Sequence, residues 1–142
     1  MLLHASCVAI GGKGVLLAGP SGAGKSDLAV RLIDEGGVLV SDDQTALSVN
    51  NGVLCAAPPP AIAGMIEIRH IGLARLSFSA SAPVALYVEL TALDASIDRL
   101  PVPDETVFLL DHPVRRLRLP AFAPSTPAKI RAVLTYPLES DD

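Results

Sequence analysis

The stretch from Gly19 to Ser26, Gly-Pro-Ser-Gly-Ala-Gly-Lys-Ser, fits the pattern G-x-x-x-x-G-K-[ST] at every fixed position. Gly19, Gly22 and Gly24 free the backbone to turn consecutive N–H groups inward, where they face phosphate oxygens. Pro20, Ser21 and Ala23 complete the loop. A helix beginning near Lys25 adds the positive end of its dipole. Lys25 then reaches the β- and γ-phosphates of a nucleotide, and Ser26 ligates Mg²⁺. Lys25 is expected to be an exposed loop residue that contributes little to stability.

Asp42 and Asp43 end the apolar run Val-Leu-Val-Ser, 17 and 18 residues after Lys25. A strand that follows the helix returns its C-terminal end to the edge of the loop. Two adjacent carboxylates there serve Mg²⁺ and a substrate hydroxyl. By themselves they read as caps of a turn; with a phosphate loop upstream they read as functional. Glu67 and Arg69 are two residues apart on one face of a strand. They suit a metal ligand and a phosphate contact, but as an isolated pair they read as a surface ion pair. His4 stands alone in the first strand, where chemistry alone gives a structural histidine. His70 and His112 have no metal-ligand spacing and receive no role.

These residues must be positioned by a short-element scaffold. Residues 2–10 and Gly-Val-Leu-Leu-Ala at 14–18 read as buried strands, since neither alternates, with a turn at Gly11-Gly12-Lys13 between them. The span 25–36 reads as a helix with Leu28, Leu32 and Ile33 on one face, stopped at Gly36-Gly37. Residues 45–57 read as a hairpin turned at Asn51-Gly52 by a type I′ turn. The span 65–76 gives one or two short strands, and 83–90 and 106–110 give one strand each around a loop at 101–105. The alternating 114–120 gives a half-exposed strand, with Arg115 on the face opposite Arg116 and Arg118. Residues 126–136 form the last helix, with Pro127 near its start. The fold class is therefore α/β: a mixed β-sheet with a P-loop and about two helices.

Length and composition bound the function. The 142 residues suit one domain, 1–142. Half of the residues are hydrophobic, which supports a packed core. The net charge of −4 and the lack of a basic stripe argue against a nucleic-acid partner. No apolar run is long enough to cross a membrane, and the N-terminus lacks the basic segment of a signal peptide. Cys7 and Cys55 have no metal-type spacing and read as reduced thiols of a cytoplasmic protein.

Over residues 1–76 the sequence resembles the catalytic domain of HPr kinase/phosphorylase. The likeness rests on the His-initiated segment, the run Gly-Val-Leu-Leu-Ala-Gly-Pro-Ser-Gly-Ala-Gly-Lys-Ser, the helix, the strand ending in Asp-Asp, and the later Glu-Ile-Arg. That family's fold resembles the nucleotide-binding domain of phosphoenolpyruvate carboxykinase. The resemblance implies an ATP- and Mg²⁺-dependent kinase acting on a serine of HPr, the carrier protein of the phosphotransferase system. It also implies a homo-oligomer, commonly a hexamer. It makes Asp42 the base that takes the serine proton, with Asp43 supporting it. Glu67 helps Ser26 hold the metal, and His4 contacts the transferred phosphoryl group or free phosphate.

Departures from the family are as informative. The family's usual N-terminal domain is expected to be missing here, as in its short alphaproteobacterial members. His70 stands where Gly is common. Ala-Pro-Ser-Thr-Pro-Ala-Lys at 123–129 replaces a Pro-Gly-Arg-Asn pattern associated with removal of the phosphate, so phosphorylase activity is expected to be weak or absent. Two rival readings are a kinase acting on another substrate and a nucleotide-binding regulator without turnover.

Overall fold

The structure, a computed structural model, describes residues 1–92 and 105–137. Strands come first: β1 (Leu2–Leu3), β2 (Ala5–Ile10) and β3 (Lys13–Ala18) precede helix α1 (Lys25–Asp34). Then follow β4 (Val38–Ser41), the hairpin β5 (Thr45–Asn50) and β6 (Val53–Ala57), and the hairpin β7 (Met65–Ile68) and β8 (Gly72–Arg75). The long strand β9 (Ala82–Thr91), the hairpin β10 (Thr106–Leu109) and β11 (His112–Pro120), and helix α2 (Thr126–Thr135) complete the order. A short 3₁₀ turn spans Pro60–Ile62.

A mixed sheet in the order β1-β5-β6-β9-β3-β2-β4 organises the molecule, with β11 on β9 and β10 on β11. β3, β9 and β11 run parallel, while β2 lies antiparallel between β3 and β4. This arrangement decides where the site sits. The C-terminal ends of β3, β4, β9 and β11 and the N-terminal start of β2 all reach one edge of the sheet.

The apolar runs at 5–9 and 14–18 fail to alternate because both faces of the sheet are covered. Val8, Val15, Leu17, Leu39 and Val88 pack with Leu28, Ala29 and Leu32 of α1 and Ile130 of α2. Their neighbours Cys7, Ala9, Leu16 and Val40 turn the other way, onto Leu47, Leu54 and Ala56 of the β5–β6 hairpin and Leu109 and Val114 of the β10–β11 hairpin. Burial on that second face pushes the Cys7 thiol up to about 12.

Most sequence expectations match an element. The hairpin turn falls at Asn51 (φ 52°) and Gly52 (φ 78°), both left-handed as type I′ requires. The strand read at 83–90 is longer, because β9 pairs with β6 at its start, β3 along its middle and β11 at its end. The first strand is different: it breaks at His4, since Leu2 and Leu3 pair with β5 whereas Ala5 onward pairs with β3 and β4. The loop expected at 101–105 lies outside the described residues except for Glu105.

Candidate functional site

The glycine-rich loop spans the end of β3 and the start of α1. Gly22 (φ 84°) and Gly24 (φ 99°) are in the left-handed region, so the loop coils as a run of L-residues would resist doing. The Ala23 N–H donates to the Pro20 carbonyl at 3.0 Å and closes its turn. Lys25 is not the exposed loop residue the sequence suggested. It is the first residue of α1 and only 5% exposed. Its Nζ donates to the carbonyls of Gly19 (2.8 Å) and Pro20 (3.1 Å), which bends the ammonium back over the loop.

The pairing of β2 with β3 and β4 brings three segments together. Ala5 lies opposite Ala18 and Cys7 opposite Ser41. The start of β2 is therefore wedged between the residue before Gly19 and the residue before Asp42. Asp42 is 9% exposed and accepts three hydrogen bonds. Its Oδ1 takes the hydroxyls of Ser26 (2.7 Å) and Ser6 (3.0 Å), and its Oδ2 takes the Glu67 N–H (3.1 Å). A carboxylate so occupied is fixed in orientation.

Asp43 is arranged differently. Its N–H donates to Ser6 Oγ at 3.0 Å, and its left-handed φ of 66° turns the chain outward. Its side chain is 59% exposed, and Oδ1 lies 3.0 Å from His4 Nε2. Sequence reasoning missed Ser6, which holds both aspartates at once. The signal was a hydroxyl inside an otherwise apolar strand, and such a group, fully buried, must find polar partners.

Glu67 comes to the edge of the same site through its backbone. Ile66 of β7 is buried in the core, and Glu67 is exposed with its backbone fastened to Asp42. Arg69 follows β7 and is exposed. His70 adopts φ 70°, which explains how a residue other than glycine fills that turn: histidine is among the residues that tolerate left-handed backbone.

Arg116 and Arg118 do not converge on the loop as free cations. Arg116 Nη2 is 2.7 Å from Glu89 Oε1, and Arg118 Nε is 2.9 Å from Glu89 Oε2. Both also lie near Glu105, at 3.5 and 3.2 Å. The hydrogen bond from Arg116 is the largest cause holding the Glu89 carboxyl below its ordinary range, with Arg118 adding to it against the opposing effect of burial.

Three comparisons bear on this geometry. The family model for the HPr serine kinase C-terminal domain matches residues 1–136. The chain belongs to this family. HPr kinase/phosphorylase of Clostridium kluyveri is 33% identical over 127 residues, covering 83% of this chain and 41% of that protein. The corresponding protein of Clostridium perfringens is 34% identical over the same span. The chain thus spans less than half the length of these curated relatives. The solved HPr(Ser) kinase/phosphatase of Coxiella burnetii superposes with a TM-score of 0.81 at 27% identity, covering 94% of this chain and 88% of that one. The mixed sheet with two helices is therefore the family fold.

The donor types at this edge are compatible with a magnesium-bound phosphate. Ser26 and Glu67 carry hard oxygen donors, and the coiled loop carries backbone N–H groups of the kind that bind phosphate. Among the described residues no group of three His, Cys, Asp or Glu side chains forms a metal cage. Magnesium bound through one or two carboxylates and substrate phosphates needs no such cage. Among those residues also, no helix is long and apolar enough to cross a membrane.

Proposed function

We propose that this chain transfers the γ-phosphoryl group of ATP to a serine of an HPr-type phosphocarrier protein. One observation carries the reading: at one sheet edge an exposed aspartate stands beside a buried, fully hydrogen-bonded one that is tied directly to the serine of the phosphate loop. The family supplies the substrate class, since its relatives are named for HPr.

In this reading the residues from Gly19 to Ser26 cradle the phosphates, and Lys25 swings from the carbonyls of Gly19 and Pro20 onto the β/γ-phosphates. Ser26 and Glu67 hold Mg²⁺, which when bound neutralises charge on the phosphate oxygens. Arg69 meets phosphate oxygens from the rim.

The geometry favours exchanging the roles first given to the two aspartates. Both oxygens of Asp42 are occupied by three donors, so Asp42 positions Ser26 and the β7 backbone. Asp43 is open to solvent and suits the base that takes the proton of the incoming serine. His4, at hydrogen-bond distance, orients that carboxylate and faces the transferred group.

Phosphorolysis needs a positioned inorganic phosphate. Arg116 and Arg118 are committed to Glu89 and Glu105, and the segment before α2 offers Ser and Thr in place of an arginine. The forward kinase reaction is therefore favoured over the reverse one. Serine-phosphorylated HPr mixed with Mg²⁺ and phosphate should release pyrophosphate slowly or not at all; rapid, phosphate-dependent release contradicts this part. The same reading places the protein in the cytoplasm with its carrier, as a homo-oligomer, hexameric in the family pattern.

The discriminating experiment follows the label of γ-labelled ATP. Label on HPr supports the proposal. Label that stays in ATP favours a regulator without turnover, and label on a different acceptor favours a kinase of another substrate.

A further inference from the structure

The segment joining β11 to α2 is pinned on several sides. Arg31 of α1 donates to the carbonyls of Ala121 and, at 3.3 Å, Ala123. The Ala121 N–H donates to the Thr91 carbonyl at 3.3 Å, and Thr126 Oγ1 donates to the Pro120 carbonyl at 2.5 Å. Ala121 is fully buried, yet the next residue, Phe122, is 49% exposed.

The location of that ring is the informative point. A Cβ built on Gly24 would come within 2.8 Å of Phe122 Cζ and 2.9 Å of the Ala121 Cβ. The edge of the ring therefore rests on the last glycine of the phosphate loop, at the N-terminal end of α1. β3 and β11 both run parallel to β9, so the segments that follow them leave the sheet at the same edge. Ligands of open α/β sheets bind outside these strand ends. A nucleotide whose phosphates lie in the loop must carry its base away from it, and an aromatic ring on a pinned backbone stands at the rim.

We infer that Phe122 is the platform on which the purine base of the nucleotide stacks. The inference rests on the reading that residues 19–26 hold a nucleoside triphosphate, and adds the residue that grips its base. Stacking on an aromatic face tolerates the identity of the base but not its absence. Pinning by Arg31 and Thr126 holds the backbone on either side of Phe122 before the ligand arrives, which lowers the entropic cost of binding.

The test compares Mg²⁺–ATP with Mg²⁺–tripolyphosphate, which has the phosphates and no base. By calorimetry, Phe122→Ala should weaken ATP about fivefold to hundredfold while leaving tripolyphosphate unchanged. Phe122→Tyr should restore ATP. Because the chain contains no tryptophan, Phe122→Trp supplies a single indole. Its fluorescence should be quenched by ATP and not by tripolyphosphate. Equal ATP affinity in Phe122→Ala, or equal loss of both ligands, overturns the assignment; so does an indole that responds identically to both. Failure of the wild type to bind tripolyphosphate at all overturns the phosphate-loop reading itself, and the inference with it.

Discussion

Ser26 Oγ donates to Asp42 Oδ1 at 2.7 Å, joining the first turn of the helix after the phosphate loop to the residue after β4. Asp43, one residue further on, makes no such link and faces solvent beside His4. Adjacent carboxylates in such different surroundings should fail differently when each is changed to the amide. Asp43→Asn should keep nucleotide affinity and lose phosphoryl transfer by about a hundredfold or more. Asp42→Asn places an amide N–H₂ among donors, so it should weaken Mg²⁺–nucleotide binding and lower thermal stability as well. Calorimetry and transfer rates on the two variants check the split. A variant at position 43 that transfers at the wild-type rate moves the base elsewhere.

Lys25→Ala removes the cation that the proposed reading turns onto the phosphates. Nucleotide affinity should fall on the order of tenfold to hundredfold, the magnitude of a lost charge-assisted hydrogen bond. Because Lys25 is buried and bonded to Gly19 and Pro20, the change should also cost about 1 kcal/mol of stability, measurable by urea denaturation. Unchanged ATP affinity would remove the loop from the site.

Glu89 gives a pH-dependent signature. Its carboxyl is held below its ordinary value by Arg116 and Arg118, so the folded state binds the proton less readily than the unfolded chain. The resulting stabilisation is present above the unfolded value, near 4.5, and is lost as pH falls through the lower folded value. Arg116→Gln should therefore lower Tm at neutral pH, and the gap to wild type should narrow below about pH 4. The pair is partly exposed, so the gap should also shrink at high salt. A gap independent of pH would assign the effect of Arg116 to packing alone.

Much of this architecture was legible in the residues, and the exceptions have physical causes. Asn51-Gly52 announced its turn because both residue types accept positive φ. Leu110 and Asp111 make the corresponding turn between β10 and β11 at φ 48° and 63°, and a leucine there gives no such signal. The phosphate loop and the Asp-Asp pair were visible as local patterns. Their different surroundings were not, because these depend on β2 inserting antiparallel between β3 and β4 and delivering Ser6 to both aspartates. Lys25 was misjudged as exposed because local sequence does not reveal that the loop carbonyls curl back onto its ammonium. Phe122 lies far from the loop in sequence, and only the parallel pairing of β11 with β9 brings it to Gly24.

Intact-protein mass spectrometry of an HPr-type carrier tests the central claim most directly. The carrier is incubated with this protein, ATP and Mg²⁺, with the Asp43→Asn variant in parallel. The account predicts a gain of one phosphoryl group, on a serine, with the wild type, and almost none with the variant. A carrier whose mass stays unchanged while the wild type binds ATP would contradict it.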